Sequence, residues 1–284
     1  MSYNTPQQTA ELAVESGTAK AAYPVGKALV GGFLAGAYIA FGGLLAIVAS
    51  AGLNSATWGG IVTLVTGLTF SLGLVLTIVG GAELLTGNMM LVPISVLSRR
   101  TKLGRLGFNW AFVFVGNFIG SLFVAYVLAD KTGVIGTAAS KAGTGPASNY
   151  ARLAALTISK AVGESNLEVF LRAIGCNWLV CLGVWLALAS TDVAGKILGI
   201  VLPITAFVAL GFDHVVANMF FLPLAMFQHV PGVTITHVVT NLIFALLGNM
   251  VGAGLFVAGA YWYLYLNVHK PQPGPGGPGT IRDR

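Results

Sequence analysis

The residues of this chain best equipped for chemistry are one imidazole and two carboxyl groups. His214 lies in the middle of an apolar segment, and an ionisable group inside a membrane segment marks a solute or proton pathway. Histidine also titrates near neutral pH. The alternative is a neutral ring bonded across helices, with Asp213 or an asparagine as partner. Its surroundings favour a pore residue. Gly81-Ala82-Glu83-Leu84-Leu85-Thr86-Gly87-Asn88-Met89, with Pro93 beyond, aligns with Gly211-Phe212-Asp213-His214-Val215-Val216-Ala217-Asn218-Met219, with Pro223 beyond, 130 residues later. Glycine, an acid, asparagine, methionine and proline recur at identical spacing, and each copy interrupts a long apolar run. A second echo follows, because Asn109, Gly116, Asn117 and Gly120 recur as Asn241, Gly248, Asn249 and Gly252. Paired interruptions in corresponding halves point to a transport pathway.

The elements that must position these groups are membrane helices. Of 284 residues, 56% are hydrophobic and only 8% charged, so the bilayer is the natural solvent and the fold class is all-α integral membrane. The 38 glycines suit close helix approach. A crossing needs roughly 20 mainly apolar residues, and six stretches qualify: 29–51, 60–97, 107–129, 171–190, 197–227 and 239–266. The second and fifth exceed a plain crossing and contain the motifs, so each is expected as half-helix, turn and half-helix. With the N-terminus inside, ten basic residues face the cytoplasm and five the exterior, the latter all around one long outer stretch (130–168). That asymmetry follows the positive-inside rule and puts both termini in the cytoplasm. Three crossings per copy is odd, so the 3+3 repeat is inverted and its two breaks meet near the midplane. The expected organisation is a cytoplasmic segment 1–28, a six-span pore domain 29–268 and a disordered, Pro/Gly-rich cytoplasmic tail 269–284. The net charge of +6 is scattered or at loop ends, which argues against nucleic acid. Residues 1–28 carry Glu11, Glu15, Lys20 and Lys27 and read as no cleavable signal.

Irregular backbone inside hydrocarbon is tolerated where it lines a cavity. The half-helices after each break aim amides and a positive dipole end there, which favours an anion. Glu83 and Asp213 occupy equivalent positions, so a symmetric bracing job is expected, accepting amides freed by the turn. Asn88 and Asn218 read as braces as well. Asn117 and Asn249 read as interhelical hydrogen bonders. Cys176 and Cys181 read as buried free thiols, and no metal site or cofactor is expected.

Several segments resemble the formate/nitrite transporter family. They are Glu83 to Asn88, Cys176-Asn177-Trp178-Leu179-Val180-Cys181, Gly211 to Met219, and the Gly-Asn pairs at 116–117 and 248–249. The resemblance runs from about residue 25 to 265; Asp213 departs from it, standing where many members have glutamate. It implies a homopentamer in the cell membrane, each aquaporin-like protomer having its own pore. It implies apolar constrictions at Phe70, Leu74, Leu84, Val180 and Phe207, around a chamber with Thr86, Asn177 and His214. It places entrance lysines at Lys160 outside and Lys20 or Lys27 inside, solvated interface charge being the alternative for all three. The implied activity is permeation of formate or nitrite with a proton that His214 donates or shares. Hydrosulfide or lactate on the same fold, a proton-coupled carrier, and a haem protein using His214 and His237 are the other readings. An enzyme is not expected.

Overall fold

The computed structural model describes residues 3–136 and 146–267; the expected tail, 269–284, lies outside them. Helix α1 (Pro6–Ala21) is followed by α2 (Val25–Ser50), the short α3 (Ser55–Trp58), α4 (Ile61–Phe70) and α5 (Leu72–Val79). Then come α6 (Leu85–Leu97) and α7 (Leu103–Phe123), the latter continued by a π-helical stretch Val124–Asp130. The second half contains α8 (Pro146–Ile158), a π-helical turn Ser159–Gly163, α9 (Asn166–Ala189), α10 (Val193–Ala209), α11 (Val215–Phe227) and α12 (Ile235–Ala253). A π-helical stretch Gly254–Gly259 then leads into α13 (Ala260–Tyr265). Among the described residues, the only pairing of strand type is an isolated bridge between Tyr3 and Ser190.

Five helical segments are long and apolar enough to cross a membrane: Val25–Ser50, Ile61–Val79, Leu103–Asp130, Asn166–Ala189 and Ile235–Tyr265. Three shorter apolar helices, Leu85–Leu97, Val193–Ala209 and Val215–Phe227, complete the bundle. Several ends differ from the apolar stretches read in the sequence. α2 starts at Val25 rather than 29, and α9 starts at Asn166 rather than 171. Polar first turns explain the shift at α9 and that at α12, which starts at Ile235 rather than 239: Ser165 and Glu168 form a capping box, and Thr234 caps α12 through the His237 amide.

Glycine sets how closely the long helices pack. A β-carbon on Gly116 would lie 2.7 Å from the Leu29 carbonyl oxygen, and one on Gly120 would lie 2.0 Å from that of Phe33. α7 therefore lies backbone to backbone on α2. The second half repeats the device, Gly248 and Gly252 each standing 2.3 Å, as a β-carbon, from the Phe170 and Ile174 oxygens of α9. Small-residue contacts of this kind replace the hydrophobic drive that helices lack in lipid.

The N-terminal segment is not a loose appendage. Thr5 and Gln8 form a capping box for α1, and Asn4 donates to the Leu188 and Ala189 oxygens at the end of α9. Gly17 packs on the Leu91 carbonyl of α6, where a β-carbon would sit 1.7 Å from the oxygen.

Candidate functional site

The two interruptions have one construction. Helix α5 ends at Val79 and α6 begins at Leu85, while α10 ends at Ala209 and α11 begins at Val215. Gly81 takes φ +80° and Gly211 φ +72°, the left-handed region where a side chain is strained. The next residue folds back, Ala82 N–H donating to Thr77 O at 2.9 Å and Phe212 N–H to Phe207 O at 3.0 Å. Leu84 and His214 are then extended, at φ −96° and −106°, before the new helix begins.

Such backbone leaves polar groups in an apolar interior, and one asparagine answers them at each break. Asn117 accepts from Leu85 N–H at 2.9 Å and donates to Glu83 O at 2.9 Å and Gly32 O at 2.8 Å. Asn249 accepts from Val215 N–H at 2.8 Å and donates to Asp213 O at 2.9 Å and Ala173 O at 2.8 Å. These side chains tie a break to two helices at once.

The carboxylates differ from the sequence reading. They were expected to accept turn amides, but each takes a lysine and an asparagine. Lys20 Nζ lies 2.5 Å from Glu83 Oε1, and Asn88 Nδ2 donates to Glu83 Oε2 at 2.9 Å. Asn88 also donates to Asn109 Oδ1 at 3.0 Å, and Asn109 Nδ2 returns to the Lys20 carbonyl at 3.1 Å. The second break repeats this closed ring with Lys160, Asp213, Asn218 and Asn241. Lys160 Nζ to Asp213 Oδ1 is 2.9 Å, and Asn218 Nδ2 reaches Asp213 Oδ1 at 2.9 Å and Asn241 Oδ1 at 2.7 Å. Asn241 Nδ2 closes it on Lys160 O at 3.2 Å. A lysine supplies the nearby cation that a buried carboxylate needs, which neutral amides alone do not. Lys27 takes no part in this ring; its Nζ is 5.9 Å from the Tyr23 ring centroid, and it lines a cavity with Gly81 and Glu83.

The breaks touch through Thr86 and His214, whose Oγ1 and Nε2 are 2.8 Å apart. The ring's other nitrogen caps α11, accepting from Ala217 N–H at 3.0 Å. A backbone amide can only donate, so Nδ1 is unprotonated and the proton of the neutral ring sits on Nε2. His214 therefore gives its N–H to Thr86 Oγ1 and leaves the hydroxyl proton for another acceptor. Phe207 lies 5.9 Å from the imidazole centroid and 5.8 Å, edge on, from Phe70. Phe70, Leu74, Leu84, Val180 and Phe207 are all buried. Asn177 is buried too, but its amide donates to Thr86 O at 3.2 Å and Asn249 O at 2.9 Å. It braces the contact between the breaks rather than presenting both amide protons to a solute. Cys181 is a buried free thiol that donates to the Thr86 carbonyl oxygen, Sγ to O 3.5 Å. His237 lies in the first turn of α12, its amide donating to the Thr234 cap at 3.4 Å and its Nδ1 3.1 Å from Thr234 Oγ1. With both ring nitrogens of His214 taken by Thr86 and Ala217, the two are unsuited to share a haem.

A cavity of about 260 Å³ is lined by His214, Phe70 and Phe207 together with Arg152, Lys160, Glu164 and Arg172. Arg172 Nη1 donates to Glu164 Oε1 at 2.7 Å. Burial, and then the adjacent Asp213 carboxyl, push the Glu164 carboxyl up to about 7, against Lys160 and Arg172. Arg152, Glu164 and Arg172 were not singled out as site residues in the sequence. The first two lie in the outer stretch, and Arg172 begins the fourth apolar run, so none falls in the repeated motif.

Two unwound stretches in contact, aromatic rings beside them and an apolar exterior suit a multi-pass membrane channel or transporter. The family model described as "Formate/nitrite transporter" matches residues 7–263. The chain belongs to the formate/nitrite transporter family. A "Probable formate transporter" from Methanothermobacter thermautotrophicus is 45% identical over 273 residues, 93% of this chain and 98% of that protein. A solved "FNT family ion channel" superposes with TM-score 0.80 at 27% identity, covering 90% of this chain and 98% of that one. A "Pentameric formate channel with formate bound" superposes with TM-score 0.73 at 28% identity, covering 86% and 98%.

Proposed function

We propose that each protomer conducts formate, or nitrite, through its own pore, with a proton accompanying the anion. The observation that carries this reading is the 2.8 Å contact of Thr86 and His214, where the two breaks meet beside the Phe70–Phe207 pair. An anion entering an apolar constriction loses hydration that hydrocarbon cannot replace. Desolvation raises the proton affinity of a weak acid, so the neutral acid is the form that passes the rings. Thr86, held by the His214 N–H, donates its hydroxyl proton to the solute's oxygen. The narrow aromatic passage favours formate or nitrite over lactate; hydrosulfide fits by size.

In this reading the chain crosses the cell membrane six times as two inverted three-span units, with both termini cytoplasmic. Segments 61–97 and 193–227 are the interrupted crossings, and the α8-side cavity is the outer vestibule. Assembly as a homopentamer is supported by the solved pentameric channel. Apolar outer residues such as Val30, Leu198 and Leu202, 64%, 70% and 76% exposed, are available to lipid or a neighbouring protomer.

Stopped-flow formate flux in liposomes tests the site. His214→Phe removes the donor that orients Thr86 and is expected to lower flux about tenfold, the equivalent of roughly 1.4 kcal/mol. Unchanged rate together with an unchanged pH profile would eliminate the imidazole from the mechanism. Glu164 supplies a second test. Below about pH 7 its carboxyl is neutral, so the vestibule holds one more net positive charge than above it. Anion entry from that side is thus favoured on the acid side, and Glu164→Gln should flatten this part of the profile by raising flux at pH values above 7. A wild-type slope through that region in the Gln variant would contradict it.

A further inference from the structure

The vestibule contains a cation that the described residues do not neutralise. Arg152 of α8 donates Nε–H to Ser50 Oγ at 2.8 Å and Nη2–H to Thr66 Oγ1 at 2.8 Å. Both acceptors are uncharged. The carboxylates among the described ion pairs go to Lys20, Lys131, Lys160 and Arg172. Burial is the cause that pushes the Arg152 guanidinium below the usual arginine range, although an arginine keeps its charge in any case. A part-buried charge without a counter-ion is costly, and an anion beside it relieves that cost.

The hydroxyls that hold Arg152 are themselves fixed. Ser50 Oγ–H donates to Ala46 O and Thr66 Oγ1–H to Val62 O, both at 2.6 Å, so their lone pairs are turned to the guanidinium. They act as a clamp on one edge. A guanidinium has five N–H donors, and the clamp uses Nε and one hydrogen of Nη2. The end-on edge, formed by Nη1 and the other Nη2 hydrogen, has no protein acceptor among the described residues, and Arg152 lines the cavity. That edge fits two oxygens carried on one atom.

We propose that Arg152 is a docking residue for a small planar oxyanion, a carboxylate or its two-oxygen equivalent, held in the outer vestibule before the Phe70–Phe207 constriction. The inference rests on the anion-permeation reading and adds a selectivity to it. Formate and nitrite present two oxygens to the fork; hydrosulfide has none, so general attraction by charge is all it can use.

Arg152→Lys keeps the charge and removes the fork. In liposomes this variant should need about tenfold more formate or nitrite for half-maximal flux, with a distinctly smaller rise for hydrosulfide. Equal shifts for all three anions, or no shift, would overturn docking while leaving permeation intact. A wild-type protein that passes no formate would instead sink the function itself. A measurement on the unaltered protein guards against misfolding of the variant. Formate should slow phenylglyoxal modification of Arg152, read by mass spectrometry, relative to Arg99 and Arg100. Equal modification rates with and without formate would count against the site.

Discussion

Asn249→Ala should unfold at markedly lower temperature than the wild type and lose about tenfold or more of its flux. The substitution strands the Val215 amide and the Ala173 and Asp213 carbonyls, the three partners of Asn249. A buried backbone group left unpaired costs about 1–3 kcal/mol in soluble proteins. Interhelical side-chain bonds in membranes average nearer 0.6 kcal/mol, so a total of about 3 kcal/mol is a reasonable expectation. Asn117→Ala should behave alike, because Asn117 makes the same set at the other break. Thermal unfolding in detergent and formate flux are the measurements. Wild-type values for both variants would mean that the breaks hold without their asparagines.

Lys160→Met should be still more disruptive, at about 3–5 kcal/mol, because it leaves a fully buried Asp213 without its cation. Adding Asp213→Asn removes the orphaned charge and should restore most of the stability. Flux should not recover with it, since the vestibule still lacks the lysine beside His214. That separation distinguishes a purely structural ion pair from one that also sets the local field. If the single variant is as stable as the wild type, or if flux returns with stability, the assignment fails.

How much of this was visible in the residues depends on the distance over which each feature acts. The turns at Gly81 and Gly211 were legible because glycine and an acid recur there at one spacing, and local backbone demands fix that pattern. The interhelical bonds of Asn117 and Asn249 were legible too, since a lone amide in a glycine-rich apolar helix has few other uses, but their hold on the breaks was not. The ion pairs were not. Lys20 and Glu83 are separated by 63 positions, and Lys160 and Asp213 by 53, so only folding brings them together. Helix α1 was also underestimated. Its buried face is dominated by small residues, Ala10, Ala13, Gly17 and Ala21 beside Thr9 and Val14, which leave little hydrophobic periodicity to read. Arg152 and Glu164 come from the long outer stretch, where no second copy of a motif singled them out.

The cap that His214 provides for α11 ties proton uptake to chain geometry. A doubly protonated ring would set an N–H against the Ala217 N–H that now donates to it. One of the two must turn away, so imidazolium formation and loosening of that first turn are one event. Any state in which the ring is cationic should therefore be recognisable by faster amide exchange at Ala217, well before a change in the helix bundle as a whole.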